Sequence, residues 1–302
     1  MTQNQPFDAL LAKLAADWRP LDDRPEETPE STLRALWFLA ASQPRAVQRC
    51  QDPLPALSEA AHERLAELVR QRMAGVPLAH LTGRQCFMGI EMLAGPEALI
   101  PRQETEILGY GALRLLRELA ATQDHTIAID LCTGCGNLAL ALAHHAPACQ
   151  VFGADLAPEA VDLARRNASF LGLEDRVAFF TGDLFAPFDG ATFAGNVDLV
   201  VCNPPYISSR RVGEMAPEVS DHEPRLAFDG GPFGVSILVR LIAEAPRYLR
   251  PGGRLCFEVG LGQGDLVRRR LERSGAYDEI ETRADAEGNV RVLVARVSTT
   301  AR

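Results

Sequence analysis

The stretch Thr126-Ile127-Ala128-Ile129-Asp130-Leu131-Cys132-Thr133-Gly134-Cys135-Gly136 is an apolar run that ends in a carboxylate and opens into a glycine-rich turn. An apolar run of six residues bounded by turn signals reads as a buried strand over Thr126–Leu131. Downstream the pattern alternates. Helical periodicity over Asn137–His145 is followed by a strand at 151–155, a helix over Pro158–Leu171 and a strand at Val177–Thr181. A further strand, Val197–Cys202, precedes a helix expected over 235–249 and a strand over 254–259. The chain then reads as a helix over 263–273 and two strands, at 279–282 and Val290–Val297. Upstream, 107–119 reads as an apolar helix. Strands alternating with helices predict an α/β fold with a parallel, doubly wound sheet. Ligands of such sheets bind at the carboxyl ends of the strands, where strand order switches.

Before residue 75 nothing is strand-like. Leu10, Leu11, Leu14 and Trp18 recur at helical spacing, as do Leu33, Leu36, Trp37 and Ala40, and then Leu65, Leu68 and Val69. Thr28 followed by Pro29 is a helix start, with threonine as cap and proline in the first turn. Gly83, Gly89 and Gly95 punctuate short apolar pieces, which reads as a hairpin. The expected organisation is a helical domain over 1–78, a hairpin linker over 79–104 and a catalytic domain over 105–302.

Composition narrows the class. The 302 residues are 47% hydrophobic and carry a net charge of −9. A chain whose main task is gripping nucleic acid usually presents a basic surface, so the balance argues against that class. No apolar run reaches the roughly 18 residues that a membrane span needs. The polar residues 1–6 lack the pattern of a secretory signal. The 7 cysteines, several of them inside apolar runs, suit reduced buried thiols of a cytoplasmic protein.

Three strand ends supply a cofactor site. Gly134 and Gly136 let the backbone approach a ligand, but Asn137, Leu138 and Ala139 stand where a dinucleotide fingerprint has its third glycine. A nucleoside without a pyrophosphate fits such a turn better. Asp155 ends the next strand, where a carboxylate accepts from both ribose hydroxyls, and Leu156 follows it. Thr181-Gly182-Asp183-Leu184 ends the third, with Asp183 placed to accept from an adenine amino group and Leu184 to pack on the ring. The expected cofactor contacts are Asp130, Cys132, Thr133, Gly134, Cys135, Gly136, Asp155, Leu156, Asp183, Leu184 and Asn203. Asp155 taken alone also reads as a helix cap. Cys132 and Cys135 have redox spacing, but they lie inside the turn that would hold the cofactor, and no metal site is expected.

The fourth strand runs into Asn203-Pro204-Pro205-Tyr206. The prolines fix the backbone and leave the Asn203 and Pro204 carbonyls able to accept. An amide or amine nitrogen offers two N–H donors, one for the Asn203 side-chain oxygen and one for the Pro204 carbonyl. Tyr206 adds an aromatic face. Catalysis is expected from Asn203, Pro204 and Tyr206, and substrate binding from these with Pro205. Glu104 and Glu106 read as first-turn helix carboxylates, with a site-lining role as the alternative, His222 as a loop-fixing residue, and Arg268 to Arg270 as a solvated helix face.

These residues carry a resemblance. Asn203-Pro204-Pro205-Tyr206 resembles the motif of enzymes that methylate amino or amide nitrogen with S-adenosyl-L-methionine. Gly75-Val-Pro-Leu-Ala-His-Leu-Thr-Gly83, Leu99-Ile-Pro-Arg-Gln-Glu-Thr-Glu106, Asp221-His-Glu-Pro-Arg-Leu-Ala-Phe-Asp-Gly-Gly231 and Tyr248-Leu-Arg-Pro-Gly-Gly253 are similar to the HemK/PrmC-type release-factor glutamine methyltransferases. The likeness covers residues 60–297. It implies a seven-stranded Rossmann-like sheet, a helical substrate-recognition domain, and methyl transfer from S-adenosyl-L-methionine, leaving S-adenosyl-L-homocysteine. The acceptor it implies is the glutamine of the Gly-Gly-Gln loop of a class I peptide-chain release factor. Gln103 departs from the family's second proline, and Cys132 and Cys135 replace smaller residues. Other readings of the same motif are a ribosomal-protein glutamine methyltransferase, a small-molecule or adenine N-methyltransferase, and a cofactor-binding protein without catalysis.

Overall fold

The computed structural model describes residues 5–21, 23–121 and 123–299. Met1 to Asn4, on which most of the leader reading rests, lie outside them.

The chain opens with helices α1 (Gln5–Ala16), α2 (Pro29–Ala40), α3 (Glu59–Met73) and the single turn α4 (Leu78–Thr82). Thr28 caps α2 as expected: its hydroxyl accepts from the Ser31 amide, and Ser31 returns a bond to the Thr28 amide. The periodic residues Leu14, Leu33, Leu36, Trp37, Ala40, Leu65, Leu68 and Val69 are buried together, with Leu10, Leu11 and Trp18 packed on them. Strands β1 (Arg84–Phe87) and β2 (Ile90–Leu93) form the hairpin.

A mixed seven-stranded sheet follows, in spatial order β5-β4-β3-β6-β7-β9-β8. Its members are β3 (Thr126–Leu131), β4 (Cys149–Asp155), β5 (Val177–Thr181), β6 (Val197–Cys202), β7 (Leu249–Glu258), β8 (Tyr277–Ala284) and β9 (Val290–Val297). Helices α5 (Glu106–Ala120), α6 (Asn137–His145) and α7 (Pro158–Leu171) pack on the sheet, and the short turns α8 (Ser209–Val212) and α9 (Pro217–Ser220) lie in the segment after β6. Helices α10 (Ser236–Glu244) and α11 (Gly264–Ser274) complete the set. Along β6, Leu199 and Val201 face one core while Val200 and Cys202 face the other. Such two-sided burial is why the strands read as continuous apolar runs.

Several expectations are corrected. The sheet is not wholly parallel, because β9 pairs antiparallel with both β7 and β8. The tight turn at Asp285 to Asn289, with the Asp285 amide bonded to the Asn289 carbonyl at 2.9 Å, joins β8 directly to β9. A parallel pair needs a crossover of a dozen or more residues. Helix α10 also stops short of the expected 235–249. Pro246 admits only a 3-10 turn over Ala245–Arg247, and β7 starts at Leu249 rather than Arg254. A register shift opposite Val197 and Leu199 accommodates Pro251 and Gly252. β4 begins at Cys149, two residues before the expected start.

Strand order reverses at β3, which has β4 on one side and β6 on the other. The carboxyl ends of these strands therefore flank the switch point, where open α/β sheets leave a crevice.

Candidate active site

Two cavities lie at this edge, and Asn203 lines both. The first is walled by Cys132, Gly134, Asp155, Leu156, Asp183, Leu184, Pro205 and Ile237. Gly134 sits at positive φ, and a Cβ added there would meet only the Ala98 Cβ, at 3.9 Å. Its amide donates to Asp155 Oδ2 at 2.8 Å, and the Ala157 amide donates to Oδ1 at 3.0 Å. Asp155 thus ties the turn after β3 to the start of α7, and burial raises its pKa. Asp183 is half exposed, and both its oxygens accept from Arg240 at 3.0 Å.

Asp130, Thr133, Cys135 and Gly136, expected among the cofactor contacts, are buried at the turn and do not line this cavity. Asp130 is fully buried, and its Oδ2 accepts from the Thr133 hydroxyl at 2.5 Å and the Ala139 amide at 3.1 Å. Burial pushes its carboxyl up to about 7. Gly136 sits at φ 85, where an added Cβ would lie 2.9 Å from the Phe179 ring. The four brace the turn, because each is packed under the backbone that faces the cavity. Asn167 adds a buried clamp, donating to the Cys135 carbonyl at 3.0 Å while bonding both backbone groups of Leu93. It joins the hairpin to the turn.

The second cavity is lined by Asp23, Leu99, Arg102, Glu104, Thr105, Asn203, Pro204, Tyr206, Phe228 and Glu258, among others. Asn203 Nδ2 donates to Thr105 Oγ1 at 3.0 Å. Among the described residues no backbone donor takes the Pro204 carbonyl. The Tyr206 hydroxyl donates to Glu258 Oε1 at 2.9 Å, and Arg291 pairs with Glu104 at 2.9 Å. Tyr206 is a strut as well as a wall: a Cβ added at Gly260 would lie 3.0 Å from its ring. Burial pushes Glu258 up to about 7, against the opposing pull of the Thr105 and Tyr206 hydroxyls and Arg291. Glu104 is therefore more than a first-turn carboxylate, since it lines the cavity and holds Arg291. Glu106 does stand at the start of α5, where it accepts from the Met88 amide at 2.7 Å.

A third constellation joins the helical segment to the segment after β6. Glu223 Oε1 accepts from Arg24 at 2.8 Å and Arg102 at 2.6 Å, and its Oε2 accepts from the Ile100 amide at 2.8 Å. Arg102 also pairs with Asp23 at 2.7 Å. All three of Arg24, Arg102 and Glu223 are buried. Five of the 7 cysteines are buried. Arg268, Arg269 and Arg270 are exposed, as expected of a solvated face.

A methyltransferase-domain family model matches residues 122–275. The release factor glutamine methyltransferase of Moorella thermoacetica is 36% identical over 295 residues, covering 98% of each chain. This chain belongs to the release factor glutamine methyltransferase family. The enzyme of the same name from Geobacter sulfurreducens is 39% identical over 230 residues, or 76% of each chain. That of Bradyrhizobium diazoefficiens is 38% identical over 240 residues, covering 80% of this chain and 79% of that one. Among solved structures, human methyltransferase 10 domain containing protein superposes with a TM-score of 0.51 at 15% identity, covering 70% of this chain and 90% of that one. That likeness bears on the fold alone.

Thr105, Glu258, Arg102 and Asp23 line the second cavity and Arg291 pairs with Glu104 beside it, without having been singled out as site residues by sequence. Thr105 and Arg102 lie in the Leu99 to Glu106 stretch that carries the resemblance, which was the available signal. Arg291 and Glu258 had none, being charges near the ends of β9 and β7 that no local motif marks.

Proposed function

We propose that this enzyme transfers a methyl group from S-adenosyl-L-methionine to the side-chain amide nitrogen of the glutamine in the Gly-Gly-Gln loop of a class I peptide-chain release factor, in the cytoplasm. The observation that carries the reading is the position of Asn203, which lines the cavity beside Gly134 and Asp155 and the cavity beside Pro204 and Tyr206 at once.

The first cavity fits the methyl donor. An ionised carboxylate offers about four lone-pair sites, and Asp155 has two committed to the Gly134 and Ala157 amides. The other two suit a pair of ribose hydroxyls. Asp183 keeps acceptor capacity beyond its Arg240 contacts for an adenine amino group, and Leu156, Leu184 and Ile237 give an apolar wall for the ring. The backbone at Cys132 and Gly134 takes close approach. When bound, the cofactor supplies an electrophilic methyl carbon.

Asn203 Oδ1 and the Pro204 carbonyl accept the two N–H groups of the glutamine amide. An amide nitrogen is a poor nucleophile because its lone pair is delocalised, so orientation is the main tool. Fixing two reactants in good geometry supplies up to about 7–11 kcal/mol. The same two oxygens stabilise positive charge as it develops on nitrogen. The proton then leaves to water. Residues 1–78 are assigned to recognition of the protein substrate, 79–104 to the linker and 105–302 to catalysis. Asp23 supports that division of labour, because it brings the helical segment to the rim of the acceptor cavity.

The test is transfer of labelled methyl from S-adenosyl-L-methionine to a purified, unmodified release factor, beside a version whose loop glutamine is alanine. Label on the first and none on the second is expected. Equal label on both, or label on neither while the cofactor still binds, would turn the assignment towards a ribosomal protein or a small amine.

A further inference from the structure

Asn203 can present either end of its side-chain amide to the acceptor, and only one end works. The oxygen must face the acceptor N–H; the NH2 group there would set donor against donor. Asn203 itself does not decide this, since the two ends are nearly the same size. Its neighbour does. Asn203 Nδ2 meets Thr105 Oγ1 at 3.0 Å, and Thr105 is buried. A hydroxyl has one hydrogen to donate and two lone pairs, so Thr105 alone could take either end. The Glu258 carboxyl, also buried, decides the choice whenever it is ionised, because the Thr105 hydroxyl favours that form and so turns its hydrogen that way. An ionised carboxylate only accepts. With its hydrogen on Glu258, Thr105 shows Asn203 a lone pair, and Asn203 answers with Nδ2. The Tyr206 hydroxyl donates to the same carboxylate at 2.9 Å, and Arg291 lies 3.6 Å from it, which holds Glu258 in place.

We propose that Thr105 is a positioning residue for the methyl transfer: it accepts from Asn203 Nδ2, and so keeps Asn203 Oδ1 turned to the acceptor nitrogen. The proposal rests on the role given above to Asn203. It assigns a task to the turn before α5 that no contact with either reactant would reveal.

Thr105→Val keeps the shape and removes both hydrogen-bonding functions; Thr105→Ser restores them. With release factor as acceptor, Thr105→Val is expected to lower kcat about tenfold, the equivalent of one hydrogen bond, and to leave the dissociation constant of the methyl donor within about twofold. Thr105→Ser should return kcat to within about threefold of the parent. A Val variant as fast as the parent, or a Ser variant as slow as Val, would overturn the proposal. Thermal melts identify any variant that is merely unfolded. If the parent methylates no release factor, the acceptor assignment has failed, and the Asn203 side-chain amide resonances decide the matter for Thr105. Assigned through their loss in Asn203→Asp, they should move in the Val variant and hold in the Ser variant. Unmoved resonances in the Val variant would count against the proposal.

Discussion

Asp155 lines the first cavity and Asn203 lines both, and each can be removed separately. Asp155→Ala deletes the acceptor of two backbone bonds and the proposed ribose contact together. Cofactor affinity should therefore fall at least about tenfold, the value of one or two hydrogen bonds to a charged group. Unchanged affinity by calorimetry would remove Asp155 from that role. A second prediction concerns pH. Burial holds Asp130 and Glu258 up at about 7, above their ordinary values of 3.8 and 4.5. Between those limits the folded state keeps protons that the unfolded chain has released. This share of stability is fully present below the lower values and is lost as pH rises through about 7. Denaturant unfolding at about pH 5 and about pH 8 should show the decline, and Asp130→Asn should reduce its slope. A slope of opposite sign would contradict the assignment. At this scale the sequence was legible where one local stretch lines a cavity, as at Asp155 and Asn203-Pro204-Pro205-Tyr206. It was silent where the chemistry depends on distance. Thr105 and Asn203 are 98 residues apart, and Tyr206 and Glu258 are 52 apart. No local pattern joins them.

Elements were read well where burial imposes a pattern. All six residues of Val197–Cys202, five of them apolar, are buried, and Pro158–Leu171 keeps helical spacing from proline to the left-handed Gly172. Reading failed where backbone chemistry overrides pattern, as at Pro246 and the shifted register of β7. The same logic makes Gly136 the position in the β3–α6 turn least able to change. Gly136→Ala meets both a left-handed φ and the Phe179 ring, and should cost on the order of 1–3 kcal/mol in denaturant unfolding. A loss below about 0.5 kcal/mol would show that the turn yields more freely than a braced one should. The segment carrying α8 and α9 makes the larger prediction. Glu223→Ala leaves Arg24 and Arg102 buried without their common acceptor. Breaking a buried pair from one side typically costs about 3–5 kcal/mol. The same substitution should raise KM for the protein substrate, because it loosens a wall of the acceptor cavity. A variant with unchanged stability and KM would mean that Glu223 does not join the two segments.

For the whole molecule, the helical segment, the hairpin and the sheet meet around one crevice. Arg24 and Asp23 reach it from one side and Asn167 ties the hairpin to it from another, while β3, β4 and β6 end in it. A net charge of −9 with a local cluster of buried arginines fits a protein acceptor better than a nucleic-acid backbone. Membership of the release factor glutamine methyltransferase family agrees with that arrangement over nearly the full chain. The division between a cavity that binds the cofactor and an asparagine that orients the acceptor is the central claim. Single-turnover methyl transfer by Asn203→Ala, with cofactor affinity measured on the same sample, tests it most directly. The rate should fall by about 10²–10³ while cofactor affinity stays within about threefold. A variant that still transfers methyl at the parent rate, or one that loses cofactor binding in step with transfer, would contradict it.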